Sequence, residues 1–209
     1  MSEPNFDPAQ ALQIDLSRGQ LTLRSQTGPT ATGPNAASRL LIPTEGLLDL
    51  LSTSSPDAIA ALGAGIGTDM GRRVHERLGS AIERASVELY LEHLGGELAL
   101  SGFGCLLVER WGHALVLCIE GQRDSEALST LLGSMLEAAI QRSLSRDVVV
   151  IQLTKTEGTI RFLVAGRHAE GPVKDWLATG MSYGDVLTRL HQAPTDNHAS
   201  KPDHRRGES

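Results

Sequence analysis

The feature of the sequence that most constrains the fold is a pair of β-hairpins separated by one amphipathic helix. Residues 105–119 predict the first hairpin, with a turn at Gly112-His113, and residues 147–165 predict the second, with a turn at Glu157-Gly158. Alternating apolar residues on both sides of a glycine-containing turn are typical of antiparallel strands. The intervening segment, 125–144, carries a wide apolar stripe at helical spacing. We expect both hairpins to lie in one sheet.

A two-residue turn determines the register of the first hairpin. The pairs on the face expected to lie against helices are largely apolar: Arg110 with Leu115, Val108 with Leu117 and Leu106 with Ile119. The opposite face is mixed, which suits a solvated or pocket-lining surface, and it holds Cys105, Leu107, Glu109, Val116, Cys118 and Glu120.

Helices are predicted before and after this unit along the chain. Apolar residues spaced three and four apart indicate a long helix over residues 57–78. Another helix is expected over 80–94, ended by Gly95-Gly96, and shorter helices over 44–51, 172–178 and 183–192. The predicted class is α+β: a two-layer fold whose antiparallel sheet consists of the two hairpins, in the order ααββαββα, covered by helices on one side.

The long helix contains four glycines, at Gly63, Gly65, Gly67 and Gly71. Each costs about 1 kcal/mol in a helix relative to alanine, so four of them require compensation. Close approach of another helix, a strand or a ligand to the bare backbone would supply it. The alternative is a helix that breaks near residues 63–67.

Composition and charge limit the possible functions. A chain of 209 residues with 40% hydrophobic residues can bury one core, and we expect a flexible segment at 1–38 with a short hairpin, a domain at 39–192 and a disordered tail at 193–209. The net charge of −6 argues against nucleic-acid binding. No apolar run approaches the roughly 20 residues of a membrane span. Both cysteines lie in predicted strands and the acidic N-terminus is unlike a signal peptide, so we expect a cytoplasmic location.

The candidate chemical groups each have a structural alternative. Cys105 and Cys118 are expected to be diagonal neighbours on one face of the first hairpin. They are either small apolar structural residues or a redox or metal-binding pair. Arg72, Arg73 and Arg77 belong either to a solvated helix face or to a partner-binding rim. No metalloprotease or cofactor-binding motif is present. We therefore expect neither catalysis nor a cofactor.

Three segments carry a resemblance to a known family: LGAGIGTDMGRRV, GFGCLLVERWGHALVLCIEG and LLGSMLEAAIQRSLSRDVVVIQLTKTEGTIRFLVAG. Together with the element order, they resemble the 4-vinyl reductase domain family, whose relatives include the small α/β subunits of the TRAPP vesicle-tethering complexes. The resemblance covers about residues 44–192. It implies a domain that dimerises through helices and either binds a small hydrophobic molecule in a buried cavity or acts as an assembly subunit.

The resemblance also bears on metal and ligand sites. Some sensor proteins of the family carry a zinc site built from cysteines near the second hairpin. Here Arg161 precedes Phe162 where a cysteine is usual, and the partner position falls near Leu153 or Thr154, so no metal site is expected. The ligand cavity is expected between the sheet and the long helices, lined by Met70, Val74, Leu91, Leu107, Cys118, Met135 and Phe162.

Three hypotheses for function follow from these observations. The first is a non-catalytic dimeric module that binds a small hydrophobic ligand, serves as a protein-assembly scaffold, or does both. The second is a protein–protein interaction subunit without a ligand, whose interface is formed by the helices at 57–78 and 80–94. The third is an accessory reductase-type enzyme. The expected partners are a second copy or a related subunit.

Overall fold

The computed structural model describes residues 12–15, 20–23, 42–82, 84–112, 114–123, 125–156 and 158–192. Near the N-terminus, strands β1 (Leu12–Asp15) and β2 (Gln20–Leu23) pair antiparallel. The expectations of flexibility in the rest of residues 1–38 and of a disordered tail at 193–209 lie outside the described residues.

The main body combines helices with an antiparallel sheet, which confirms the predicted α+β class. Serine hydroxyls accept a backbone N–H at the starts of three helices, from Ala58, Leu89 and Leu128. The elements are α1 (Thr44–Ser52), α2 (Pro56–Leu78), α3 (Val87–Leu100), β3 (Cys105–Trp111), β4 (Ala114–Glu120), α4 (Glu126–Leu144), β5 (Val148–Thr156), β6 (Thr159–Gly166), α5 (Glu170–Ala178) and α6 (Tyr183–Gln192).

Both predicted hairpins lie in one four-stranded sheet with the order β3-β4-β6-β5. The first hairpin has the predicted register, with Arg110 opposite Leu115 and Val108 opposite Leu117. At its turn Gly112 has a φ of 60°, a conformation that glycine adopts without steric cost. Antiparallel pairing of β4 with β6 joins the hairpins, so β3 and β5 are the edge strands.

The sheet buries apolar residues on both faces, and the expectation of helices on one side was therefore wrong. On one face, residues such as Leu117 and Phe162 pack with α1 to α4 in the main core. On the other face, Cys118 and Leu163 pack against Val173 of α5 and against α6. The physical reason is that β4 and β6 are central strands with apolar residues at consecutive positions, so both of their faces require cover.

Helix α2 is continuous, and its glycines allow close packing against α4. An added Cβ at Gly67 would lie 2.0 Å from the Met135 carbonyl oxygen, and one at Gly71 would lie 2.4 Å from that of Ala139. An added Cβ at Gly63 would lie 2.5 Å from the Leu131 carbonyl oxygen. The predicted close approach of another helix is thus confirmed for these three positions, which are four residues apart. We call them the glycine stripe.

The predicted end of the helix at Gly95-Gly96 was wrong, because α3 continues to Leu100. An added Cβ at Gly95 would lie 3.4 Å from Leu106 Cβ, so this glycine faces the sheet. Glu97, which is completely buried, accepts from Arg73 Nε and Arg77 Nη2 of α2, each at 2.7 Å. The packing and the paired charges stabilise the helix beyond the two glycines.

Candidate functional site

The structure does not bring the seven predicted cavity residues together. Met70, Val74, Leu91, Met135 and Phe162 are buried in the main core. By contrast, Cys118 belongs to the core on the opposite face of the sheet, and Leu107 is 43% exposed on the edge strand β3. The assignment of these side chains to ligand binding stays a prediction.

The structure has a cleft between α2, α4, α5 and the free edge of β5. Its volume is about 560 Å³, within the range of roughly 300–1,000 Å³ that is usual for small-molecule sites. We call it the α4 cleft, because α4 contributes more of its wall than any other element: Ser129, Thr130, Gly133, Ser134, Glu137, Ala138 and Gln141. Of the predicted cavity residues, Phe162 lines it.

The apolar part of the α4 cleft consists of small residues around one aromatic ring. Ala64 of α2 and Ala138 of α4 form part of the wall, and Val150 and Phe162 come from the sheet. An added Cβ at Gly133 would lie 3.3 Å from Cε1 of Phe162, so the absence of a side chain there lets the α4 backbone pack closely on the ring, which is 1% exposed. This part of the cleft can accept a small flat apolar group.

The polar part follows the outer edge of β5. Glu137 Oε2 accepts from the backbone N–H of Val150 at 3.0 Å, and Gln141 Nε2 donates to the backbone carbonyl of Val148 at 2.8 Å. An edge strand presents unpaired N–H and C=O groups, which would otherwise recruit another strand. Two α4 side chains, spaced one helical turn apart, therefore satisfy part of this edge, and Gln152 lies farther along the same wall.

Helix α5 brings charges to the rim of the α4 cleft. Lys174 Nζ donates to Glu170 Oε1 at 2.7 Å, and this hydrogen bond lowers the pKa of Glu170. Arg167, just before α5, lies 2.8 Å from Asp147 and 3.6 Å from Glu170. These ion pairs hold the start of α5 against the end of α4.

The two cysteines do not form a reactive pair. Burial, followed by the nearby Glu109 carboxylate, raises the pKa of Cys118 to about 12, so its thiol is neutral at physiological pH. Cys105 is an exposed free thiol, whereas Cys118 is buried. Arg161 of β6 pairs with Glu109 at 3.2 Å. Within the described residues, no group of three or more His, Cys, Asp or Glu side chains is placed to hold a metal ion.

One pattern that the sequence analysis overlooked is Gly180-Met181-Ser182-Tyr183-Gly184, which matches the Gly-x-Ser-x-Gly motif of hydrolases. That motif requires a sharp turn between a strand and a helix, whereas here a helix, α5, precedes it. Ser182 instead caps α6, where its hydroxyl bonds to Asp185 Oδ2 at 2.6 Å and accepts from the Asp185 N–H at 3.2 Å. Its role in this structure is that of a helix cap.

Sequence reasoning missed most of the α4 cleft. The available signal was the row of polar residues Ser134, Glu137 and Gln141 along a helix whose other faces are apolar. That row was compatible with an ordinary solvated face. Its proximity to the β5 edge depends on which strands are central, and the local sequence pattern does not determine that order.

None of the helices in the described part of the chain combines the length and the apolar character that crossing a bilayer requires.

Comparison with known proteins identifies a solved structure with a similar fold. No protein-family model matches the sequence, and no curated protein matches it. Among solved structures, the chain is similar to the phenol-responsive sensory domain of the transcription activator PoxR, crystallised with phenol. The TM-score is 0.54 and the sequence identity 13%, and the match covers 90% of this chain and 94% of that one. The two proteins share a fold along nearly their whole length.

Proposed function

We propose that the protein is a non-catalytic sensory module that binds a small, mainly hydrophobic molecule in the α4 cleft. The observation that carries this proposal is the fold shared over 90% of the chain with a phenol-responsive sensory domain. The cleft supports it, because about 560 Å³ accommodates a small aromatic ring and Ala64, Ala138 and Val150 supply an apolar wall. Membership in the 4-vinyl reductase family and a cytoplasmic location are parts of the same proposal, and the helix–hairpin–helix–hairpin order supports the first.

Phenol is the probe for this proposal, and Ala64→Phe is the variant that fills the cleft. We expect saturating phenol to raise the thermal unfolding temperature of the wild-type protein by a few degrees, since a ligand at 100 times its Kd stabilises by about 2.7 kcal/mol. The ring introduced at Ala64, which lines the cleft, should abolish this shift and the saturation-transfer NMR signal of phenol.

The matched control is Ala58→Phe, which adds the same ring at an exposed position of α2 outside the cleft. This variant should respond to phenol like the wild type. An unchanged response in Ala64→Phe would place the binding site elsewhere. The absence of any response in the wild-type protein would contradict phenol binding in this cleft.

A second function, assembly with another copy, is favoured by the edge strand β3. Leu107, Val108 and Trp111 on this strand are each at least 40% exposed. The Glu88–Arg110 ion pair joins β3 to the first turn of α3, where Val87 and Leu89 are similarly exposed. Exposed apolar side chains on both faces of a strand whose edge is not covered by another described strand are typical of a protein interface. The interface predicted on both helices is thus supported for α3, whereas the glycine stripe of α2 packs within the chain.

Light scattering coupled to gel filtration tests assembly. We expect a wild-type dimer, and we expect Val108→Lys to weaken it by at least about tenfold, because a charge introduced on the edge strand would have to be desolvated in the interface. Leu62→Lys is the control, since Leu62 is 42% exposed on α2, away from β3. A wild-type monomer at high concentration, or equal loss in both variants, would contradict assembly through β3.

A further inference from the structure

The outer edge of β5 presents three successive outward-facing positions, and only the first two are occupied by described side chains. Gln141 bonds to the carbonyl of Val148, and Glu137 accepts from the N–H of Val150. Backbone groups of a strand face the same edge at every second residue, so Gln152 follows Val148 and Val150 on this edge, immediately before the β-bulge between Gln152 and Thr154. Among the described residues, no side chain hydrogen-bonds to Gln152, whose half-buried side chain lines the α4 cleft.

The wall opposite Gln152 supplies one further available polar group and a flat apolar surface. Ser134 Oγ has no hydrogen-bond partner among the described residues, whereas the neighbouring Ser129 and Thr130 hydroxyls donate to carbonyls of their own helix. Ala64, Ala138 and Val150 supply the apolar surface of the same cleft. An aromatic ring on this surface therefore lies next to both a donor and an acceptor.

The charges of the lining disfavour an anion. The carboxylates of Glu137 and Glu170 and the ammonium group of Lys174 line the α4 cleft. Lys174 already forms an ion pair with Glu170 at 2.7 Å. Arg167 does not line the cleft. It lies 4.0 Å from Glu137 and forms an ion pair with Asp147 at 2.8 Å. A carboxylate ligand would lose hydration and face like charges.

From this arrangement we infer that the α4 cleft selects neutral, planar ligands with a hydrogen-bond donor and acceptor side by side, such as an aromatic carboxamide, and that Gln152 is the residue that recognises this pair. The inference rests on the proposed function, and it names the ligand class of the same site. The carboxamide of the Gln152 side chain offers both a donor and an acceptor to this pair, while the ring packs against the apolar wall that includes Ala64, Ala138 and Val150.

Benzamide, benzoate and toluene test this inference, because they share a ring and differ only in the substituent. Titrations of the full chain by NMR should give a Kd for benzamide at least about tenfold lower than for benzoate or toluene, as expected for two hydrogen bonds to otherwise unpaired groups. Gln152→Leu should weaken benzamide by about fivefold or more and leave toluene unchanged. Glu137→Gln should raise the affinity for benzoate, because it removes a negative charge from the lining of the cleft.

Glu92→Gln is the control for charge, since it makes the same substitution at an exposed position of α3 outside the cleft; it should change no affinity. Thermal unfolding of each variant verifies that it is folded. Equal affinities for benzamide, benzoate and toluene, or a Gln152→Leu variant with unaltered selectivity, would overturn this inference and leave the proposed function standing. Binding of none of these compounds, nor of phenol, would overturn both.

Discussion

A Gly67→Val variant is expected to lose at least about 3 kcal/mol of unfolding free energy, at or above the upper end of the cost of overpacking a core. An added Cβ would lie 2.0 Å from the Met135 carbonyl oxygen and 2.8 Å from the carbonyl carbon. These are backbone atoms, so no side-chain rotation relieves the clash. Helices α2 and α4 would have to separate along the glycine stripe, and the main core residues between them would lose contacts. Urea unfolding followed by circular dichroism measures the loss.

Gly65→Ala is the matched control for Gly67→Val. Gly65 lies in the same helix, but it is exposed and an added Cβ would meet nothing within 4 Å. This substitution should be neutral or stabilise by up to about 1 kcal/mol, because alanine favours the helix. If both variants unfold at the wild-type urea concentration, α2 and α4 do not pack through the glycine stripe.

The second large effect is expected for Glu97→Gln, which should cost about 3 kcal/mol of stability. Glu97 is fully buried and both of its carboxylate oxygens are bonded, to Arg73 and to Arg77. The substitution preserves the shape of the side chain and removes the negative charge that Arg73 and Arg77 share, while Arg73 keeps its ion pair with Asp69. Removing one charge of a buried ion pair costs far more than the pair itself contributes, because the desolvation of the remaining charge is no longer offset.

Glu92→Gln again serves as the control, since Glu92 lies on the exposed side of the same helix. Its effect on unfolding free energy should stay within about 0.5 kcal/mol. A triple variant in which Arg73, Arg77 and Glu97 all become apolar should recover much of the loss, since no buried charge remains. A Glu97→Gln protein as stable as the wild type would mean that the two arginines find other partners or reach solvent.

The hairpins and their register were predictable from the sequence because their determinants are local. Gly112 and Gly158 mark turns with positive φ, and apolar alternation on both sides then sets which residues pair. The glycines of α2 were also informative, since three of the four are explained by a close helix contact. The sequence did not identify α4 as their partner, because a strand or a ligand could equally well approach the bare backbone at a glycine.

The predictions that were wrong concern contacts between distant segments. Gly95-Gly96 was expected to end α3, but a buried ion pair to α2 and the sheet beneath Gly95 outweigh a helix penalty of about 1 kcal/mol per glycine. For a similar reason, the sequence did not predict that α5 and α6 cover the second face of the sheet. The apolar residues of β4 and β6 predict strands in any position, and their double-sided burial follows from being central in the sheet.

By itself, the sequence determined the α+β class, the two hairpins with the pairing within the first, and the existence of a glycine-notched helix, because these depend on residues close together in the chain. The strand order, the helix layer behind the sheet and the α4 cleft were decided only by the tertiary structure. The cleft joins α2, α4, β5 and α5, and Gln152 becomes a candidate site residue only because β5 lies at the sheet edge beside the polar side chains of α4. Local patterns specify which residues are apolar or polar, whereas burial and long-range pairing decide which of them meet.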